Sequence, residues 1–300
     1  MNGILLVDKP AGWTSNDVVQ KLRGVLRERR IGHAGTLDPM ATGLLTVFVG
    51  RATRAVEFAE GDGKTYVAGL HLGLVTDTQD TTGNVLREWT GAGDGSGEQT
   101  AALPSRDALE SVLESFRGTV SQIPPMYSAV RVNGRRLYAL ARQGKTVERS
   151  PREITVYELR ILEGNGADWR LKVRCSKGTY VRTLCHDIGE TMGCGGCMSS
   201  LRRTRAGNFC VEDAKPLDEI IRLAGEGRVE NLLLPTDSLF AEYPGVTVNA
   251  SDEKKVRNGG KVSGQHAEGL FRVYSESGEF LALCRGSRDG LSTVKSFFEI

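Results

Sequence analysis

Apolar and polar positions divide the first fifty residues into a strand, a helix and a second strand. Ile4-Leu5-Leu6-Val7 is an apolar run that stops at Asp8-Lys9-Pro10, which is typical of a short buried strand. Apolar residues then recur every three or four positions after Thr14, a favourable N-cap residue, and predict an amphipathic helix over 16–28. Leu44 to Val49 is a second apolar strand.

The same patterns continue through the middle of the chain. Helical spacing follows Ser105, a candidate N-cap, and returns between Val181 and Met192 and near Leu217 to Ala224. The alternation that is typical of a half-exposed sheet predicts strands at Lys64 to Leu72, Ile154 to Leu162 and Trp169 to Cys175.

Beyond Pro235 the pattern changes to short segments with frequent glycine. Val246 to Asn249 is a candidate strand, and the apolar segments Phe271 to Tyr274 and Phe280 to Cys284 flank Ser277-Gly278, which indicates a hairpin. We therefore expect a small β-rich unit of about 60 residues after the main domain. The glycine-rich run 91–97 predicts a surface loop.

The composition is that of an ordinary globular protein, with 39% hydrophobic and 25% charged residues. No apolar run approaches the roughly 20 residues of a membrane helix, and the N-terminus lacks the pattern of a signal peptide, so we expect a cytoplasmic protein. Disulfides are not expected in that compartment. Cys194-Gly-Gly-Cys197 has the spacing of a metal-ligand pair, but without a second pair the sequence predicts no metal site.

The charge is distributed unevenly although the net charge is only +2. The basic segment from Arg131 to Arg152 contains seven cations and one acid, Glu148. A second basic cluster follows Leu201. Such clusters either track a phosphate backbone or form a solvated face, and the second reading is the commoner one for each cluster alone. The cations of the two clusters are Arg131, Arg135, Arg136, Arg142, Lys145, Arg149 and Arg152, and then Arg202, Arg203 and Arg205.

The run from Gly32 to Leu45 holds the candidate chemistry. It combines several glycines with His33 and with Asp38, which precedes Pro39. Glycine allows tight turns, and Asp-Pro favours an extended or turn geometry, so the run predicts a non-helical loop that presents a carboxylate and an imidazole together. An aspartate before a proline is by itself most often a turn residue.

Six segments together resemble the TruB family of bacterial tRNA pseudouridine synthases. They occur in the order of that family and extend the resemblance over residues 1–240. The tail is similar to the PUA-related C-terminal unit of the bacterial members. The segments are Gly-Ile-Leu-Leu-Val-Asp-Lys-Pro (3–10), Gly-His-Ala-Gly-Thr-Leu-Asp-Pro-Met-Ala-Thr-Gly-Leu-Leu (32–45), Lys-Thr-Tyr (64–66), Pro-Pro-Met-Tyr-Ser-Ala (124–129), Gly-Thr-Tyr-Val-Arg-Thr-Leu (178–184) and Leu-Arg-Arg-Thr-Arg-Ala-Gly (201–207).

This resemblance implies an α+β protein with a central mixed, mainly antiparallel sheet flanked by helices. It implies a catalytic domain over 1–235, with an RNA-gripping segment at about 124–152, and a PUA-like RNA-binding unit over 236–300. The implied activity is isomerisation of uridine 55 in the T-arm loop of tRNA to pseudouridine, without any cofactor or metal. The implied protein is a monomer that needs no obligate protein partner and no membrane.

The resemblance also assigns roles to individual residues. Asp38 matches the catalytic aspartate, which acts either as a nucleophile on C1′ or as a base on the C2′ proton, and Arg182 matches the arginine that orients it. Tyr66 matches the residue that stacks on the flipped uracil and is a candidate for proton transfer. The other matched substrate contacts are His33, Tyr180 and Leu201, and the implied contacts to the RNA backbone are Arg131, Arg135, Arg136, Arg142, Lys145, Arg202 and Arg203.

Two other functions stay open at this point. One is that of the guide-RNA-dependent archaeal and eukaryotic relatives, which modify ribosomal RNA. The other is that of a non-catalytic tRNA binder or folding chaperone. Such a protein would not need Asp38, Tyr66 and Arg182 together, so their joint presence argues against it.

Overall fold

A computed structural model describes residues 1–59, 63–89, 104–132 and 134–298, so the glycine-rich run 91–97 lies outside the described residues. The helices are α1 Ser15–Leu26, α2 Val56–Ala59, α3 Arg106–Ser115, α4 Leu137–Ala141, α5 Val181–Thr191, α6 Leu217–Gly225 and α7 Ala250–Arg257. The first nine strands are β1 Gly3–Lys9, β2 Ile31–Ala34, β3 Thr42–Val49, β4 Lys64–Leu72, β5 Leu74–Thr76, β6 Val85–Glu88, β7 Gly118–Gln122, β8 Arg131–Val132 and β9 Arg135–Arg136. The others are β10 Arg152–Asn165, β11 Asp168–Cys175, β12 Gly196–Ala206, β13 Phe209–Cys210, β14 Lys215–Pro216, β15 Gly245–Thr247, β16 Gly269–Tyr274, β17 Phe280–Ser287 and β18 Gly290–Ser296.

The main sheet has the strand order β14-β1-β3-β12-β4-β11-β10-β7, with β2 also paired to β3 and β13 to β12. The pairs β1–β14 and β3–β12 are parallel, and the neighbouring strands elsewhere in this sheet run antiparallel. The mixed, mainly antiparallel sheet confirms the predicted fold class.

Two groups of helices cover one face of this sheet and leave its middle for the site. Helices α1 and α6 pack over the side formed by β1 and β3, with Val18 and Ile220 fully buried. Helices α3 and α5 pack over the side formed by β4, β10 and β11, with Leu109 and Ile188 fully buried. Because apolar burial is the main stabilising term in folding, these two cores fix the two groups of helices on either side of the junction between β3 and β12.

A separate four-stranded sheet, in the order β15-β16-β17-β18, follows the main one in the chain. It has a core of its own around Val273 and Leu281, and it also packs against the opposite face of β1 and β3 through Leu283 of β17 and through Phe297, which follows β18. Lys295 adds an ion pair with Glu57 of α2 at 2.6 Å. The tail is therefore a small β unit, and the domain boundary at 235/236 stays a prediction.

The structure corrects two local predictions. Helix α1 ends at Leu26 instead of residue 28, because Arg27 adopts a left-handed backbone with φ of 51°. His33 lies on strand β2, opposite Val47 of β3, whereas the sequence placed it in a loop with Asp38. Within the described residues, no helix combines the length and the apolar character that crossing a membrane requires.

Candidate active site

Asp38 lies in the turn between β2 and β3, and several contacts fix that turn. The Ser15 hydroxyl accepts from the Leu37 N–H at 2.8 Å and donates to the Leu37 carbonyl at 3.2 Å, which ties the turn to the start of α1. Gly43, with φ of 97°, follows at the point where β3 meets β12. A Cβ atom there would lie 2.3 Å from the Arg203 carbonyl oxygen, so only glycine permits this approach.

Arg182 and Asp38 form a bidentate ion pair. The Nε atom lies 2.9 Å from Asp38 Oδ2, and Nη2 donates to Asp38 Oδ1 at 3.2 Å. The Arg182 side chain is only 6% exposed, whereas that of Asp38 is 35% exposed. The fork therefore fixes the orientation of the carboxylate from the protein side and leaves the carboxylate itself accessible.

The other nitrogens of Arg182 are also held, partly by residues that the sequence analysis missed. Nη1 donates to the Thr78 carbonyl at 3.0 Å and lies 3.8 Å from Asp80 Oδ2, while Nη2 donates to the Tyr127 carbonyl at 2.8 Å. Asp80 is buried and also accepts from the Thr82 amide at 3.0 Å. The polar run Asp77-Thr-Gln-Asp80 was the available signal, but nothing in its spacing indicates a partner a hundred residues away.

The charges around Asp38 compete. Burial raises the pKa of Asp38 above the ordinary value of an aspartate, the Arg182 charge lowers the pKa, and the Asp80 charge raises it.

Lys9 is a second residue that the sequence did not single out. It is fully buried, its ammonium donates to the carbonyls of Trp13 at 2.6 Å and Pro39 at 3.4 Å, and burial lowers its pKa to about 8.

Tyr66 and Arg203 lie opposite each other on β4 and β12 in the middle of the sheet. Burial raises the pKa of Tyr66, and the Arg203 charge beside it lowers that pKa in part, so the neutral phenol is the favoured form. Arg203 is fully buried and donates to the carbonyls of Leu44 at 2.7 Å and Gly35 at 2.9 Å. The assignment of Arg203 to the RNA backbone is therefore wrong, because a buried side chain that is bonded to two carbonyls cannot reach a phosphate. Arg203 instead links the backbone of Leu44 and Gly35 beside Tyr66.

The remaining matched residues border the same region to different degrees. Leu201 lies on β12 two residues before Arg203 and is buried, and Tyr180, partly exposed, is the N-cap residue of α5 directly before the turn that carries Arg182. His33 is half-buried, and within the described part of the chain its Nδ1 atom has no hydrogen-bond partner. Burial and the Arg203 charge lower the pKa of His33 and favour its neutral form.

The basic segment forms a small exposed hairpin and a helix. Strands β8 and β9 carry Arg131, Arg135 and Arg136, which are all exposed, and α4 follows directly. The guanidinium groups of Arg136 and Arg142 lie 5.9 and 5.5 Å from the centre of the Tyr138 ring. Lys145 is also exposed, whereas Arg202, on β12, is part of an ion pair with Asp8 at 2.8 Å.

In the described ranges, no group of three or more His, Cys, Asp or Glu residues is arranged to hold a metal ion. Cys194 and Cys197 are both buried in this structure. What the site does combine is an accessible carboxylate oriented by a buried arginine, a buried tyrosine whose pKa the charge of that carboxylate helps to raise, and exposed arginines on the hairpin β8–β9. The carboxylate can act as a nucleophile or a base, and the tyrosine ring can stack on a planar group. The exposed arginines can bind the phosphates of a polyanion that carries this group.

Two family profiles match the chain in succession. Residues 23–181 match the profile described as TruB family pseudouridylate synthase (N terminal domain). Residues 182–241 match the one described as tRNA pseudouridylate synthase B C-terminal domain. Their junction falls between Val181 and Arg182, inside helix α5.

Individual proteins give the same result. The tRNA pseudouridine synthase B of Clostridium tetani is 38% identical over 301 residues, which cover 98% of this chain and 99% of the relative. That of Syntrophomonas wolfei subsp. wolfei is 42% identical over 307 residues, which cover 98% and 96% of the two chains.

Among solved structures, a chain of "Crystal Structure of a Cbf5-Nop10-Gar1 Complex" matches with a TM-score of 0.72 and 27% identity, over 99% of this chain and 85% of that one. A chain of "Structure of H/ACA RNP bound to a substrate RNA containing 2'-deoxyuridine" matches with the same TM-score, 25% identity and the same coverage. Profiles, full-length relatives and fold agree with the resemblance predicted from the six sequence segments, and the chain belongs to the TruB family of pseudouridylate synthases.

Proposed function

We propose that this protein converts uridine 55 in the T-arm loop of tRNA to pseudouridine, and that Asp38 is its catalytic carboxylate. The observation that carries the proposal is the bidentate pair of Asp38 and Arg182, in a chain whose full-length relatives are tRNA pseudouridine synthases B. It acts as an isomerase, so no atom enters or leaves and no cofactor is required.

The reaction requires that one bond is exchanged for another. The bond between C1′ of the ribose and N1 of the uracil breaks, the base turns, and C5 is joined to C1′; the C5 proton leaves and N1 gains a proton. Asp38 either attacks C1′ or removes the C2′ proton, and both routes need its ionised form. Arg182 supports both, because its fork lowers the pKa of Asp38 and aims the carboxylate.

A uridine inside a folded loop has to be extruded before Asp38 can reach its sugar, which costs about a few kcal/mol. Stacking on Tyr66, with Tyr180 and Leu201 as further walls of the pocket, offsets that cost. Burial favours the neutral phenol of Tyr66, which suits stacking, and Tyr66 is also our candidate for taking up the C5 proton, since the Arg203 charge beside it favours the phenolate. His33 would contact the RNA beside the vacated position of the base.

The folded T-arm is held through its backbone. The exposed Arg131, Arg135 and Arg136 of the hairpin lie on the segment that the resemblance identifies as RNA-gripping, as do the exposed Arg142 and Lys145. Arg202 on β12 is the further backbone contact that the resemblance implies. RNA loops are recognised largely by shape and by unstacked bases, so phosphate contacts position the arm and the pocket selects the base. The C-terminal β unit is a second RNA contact, as in a PUA-like domain.

We also propose that the protein works as a cytoplasmic monomer without a guide RNA or a protein partner. The curated relatives that match over the whole chain are named for tRNA, which supports this choice over the guide-dependent function of the H/ACA complexes. The test is to incubate the purified protein alone with an unmodified tRNA transcript and to map pseudouridine. We expect pseudouridine at position 55 only. Product that appears only after a guide RNA or partner proteins are added would favour the guide-dependent function, and tRNA binding without product would favour a chaperone.

A further inference from the structure

Gln122 lies where the RNA-gripping segment joins the main sheet. It is the last residue of β7, and its backbone is paired with Arg152, the first residue of β10. The segment therefore leaves the main sheet directly after Gln122 and returns to it directly opposite. This pair of residues is therefore the backbone junction between the segment and the sheet.

The side chain of Gln122 is buried, and both of its polar atoms are hydrogen-bonded to the backbone of one residue, Tyr180. Its Oε1 atom accepts from the Tyr180 N–H at 2.8 Å, and its Nε2 atom donates to the Tyr180 carbonyl at 3.1 Å. Only 4% of the residue is exposed. A buried amide that bonds both the N–H and the carbonyl of one residue fixes the two peptide groups on either side of that residue, and water cannot readily replace it.

The two hydrogen bonds from Gln122, called the clamp below, act on the residue at the start of the helix that carries Arg182. Tyr180 is the N-cap of α5, without a side-chain capping bond of its own, and Arg182 follows in the first turn of the helix. Arg182 in turn donates to the carbonyl of Tyr127, which lies inside the RNA-gripping segment. Among the described residues, the Arg182 region is thus held by the segment itself through the Tyr127 carbonyl, and at the junction of the segment with the sheet through the side chain of Gln122.

From this geometry we propose that Gln122 is a positioning residue, through which the RNA-gripping segment holds Tyr180 and Arg182 in place for the reaction at Asp38. The inference rests on the proposed function for its catalytic consequence. Gln122 touches neither the RNA nor the reacting atoms, and it acts on the chemical step through the backbone of Tyr180.

The first test is Gln122→Leu, which keeps the approximate volume and removes both hydrogen bonds. We expect the single-turnover rate at saturating tRNA to fall by about tenfold to a hundredfold, since small misplacements of a catalytic group have effects of this size. The affinity for tRNA should stay within about threefold, because no phosphate contact is removed. The matched control is Val120→Ala, two residues earlier on β7, which loosens packing against the same core but leaves the clamp intact and should keep the single-turnover rate.

Gln122→Glu separates the hydrogen-bond pattern from a general structural role. A protonated carboxyl can donate to the Tyr180 carbonyl and accept from its N–H as the amide does, whereas an ionised one cannot donate. Burial favours the protonated form at reduced pH. The ratio of the rate of the Glu variant to the wild-type rate should therefore rise as the pH is lowered, over the range in which the wild-type rate itself does not change with pH.

Hydrogen exchange on the free protein provides a readout that does not depend on activity. The amides of residues 180–184 should exchange faster in Gln122→Leu than in wild type or in Val120→Ala. Unchanged exchange there, or a wild-type single-turnover rate in Gln122→Leu, would overturn the inference. Failure of the wild-type protein to form pseudouridine would instead overturn the proposed function, and the exchange experiment would still decide whether Gln122 holds Tyr180.

Discussion

Replacing Arg182 tests whether the charge and the fork of this side chain prepare Asp38 for the reaction. Arg182→Met removes the cation and leaves Asp38 and the buried Asp80 without it, and the carbonyls of Thr78 and Tyr127 lose their donor. Breaking a buried ion pair on one side costs about 3–5 kcal/mol. Since Asp38 is partly exposed, we expect the free energy of unfolding to fall by about 3 kcal/mol, at the lower end of that range.

The pH dependence gives the sharper result. Asp38 acts as a carboxylate, so activity is present above its pKa and is lost as the pH falls through it. Burial and Asp80 raise this pKa and Arg182 lowers it. In Arg182→Met the lowering contribution is gone, so the acid limb of the single-turnover rate should move to higher pH than in wild type.

Arg182→Lys separates the charge from the geometry. A lysine keeps the positive charge but cannot form the two parallel bonds to Asp38, so it loses one hydrogen bond to a charged group, worth about 1.5–3 kcal/mol. That corresponds to about a tenfold to hundredfold lower rate at neutral pH. The acid limb should stay closer to that of wild type than in Arg182→Met.

The assay is single-turnover formation of pseudouridine at saturating tRNA between pH 5 and 9, with urea denaturation in parallel. Arg117→Met is the matched control, since it removes a guanidinium that binds Glu110 and the Leu159 carbonyl away from the site. An acid limb that is identical in wild type and in Arg182→Met would refute the role given to Arg182, whatever happens to stability.

Two further predictions concern the RNA-gripping segment and the missed lysine. Arg135→Ala combined with Arg136→Ala should weaken tRNA binding and reduce the slope of log affinity against log salt by about 1 to 2, because two exposed cations leave the interface; an unchanged slope would contradict their assignment as phosphate contacts. Lys9 has a pKa of about 8 in the folded protein, against an ordinary value of 10.5. Between these two pH values the unfolded chain binds a proton that the folded protein does not, so the contribution of Lys9 to stability grows as the pH rises. From pH 7.5 to 10, the free energy of unfolding of wild type should gain about 2 kcal/mol relative to Lys9→Met, and urea denaturation at the two pH values checks this.

Local patterns predicted most of the secondary structure and the family, because the information lies in neighbouring residues. The strand Lys64–Leu72 follows from alternation, and the helix after Ser105 from its N-cap and spacing, and both are confirmed. The end of α1 was missed because the left-handed conformation of Arg27 has no strong sequence signal in a residue other than glycine.

The tertiary roles of polar residues could not be read in the same way. Arg203 lies in a run of arginines that looks like a solvated patch, yet alternation along β12 turns it into the interior next to Tyr66, while Arg202 faces outward. Lys9 and Asp80 were passed over because a buried charge is recognised only once its partners are known. These partners come from distant parts of the chain, and a single sequence does not specify which of them meet.

The most direct test of the central claim is to measure product and binding together for Asp38→Asn. The variant keeps the shape of the side chain but removes the ionised carboxylate on which both chemical routes depend. We expect no pseudouridine at position 55 of an unmodified tRNA, while the affinity for that tRNA stays within about tenfold of wild type, since the phosphate contacts are untouched. Pseudouridine formed by Asp38→Asn at a rate close to that of wild type would contradict the account.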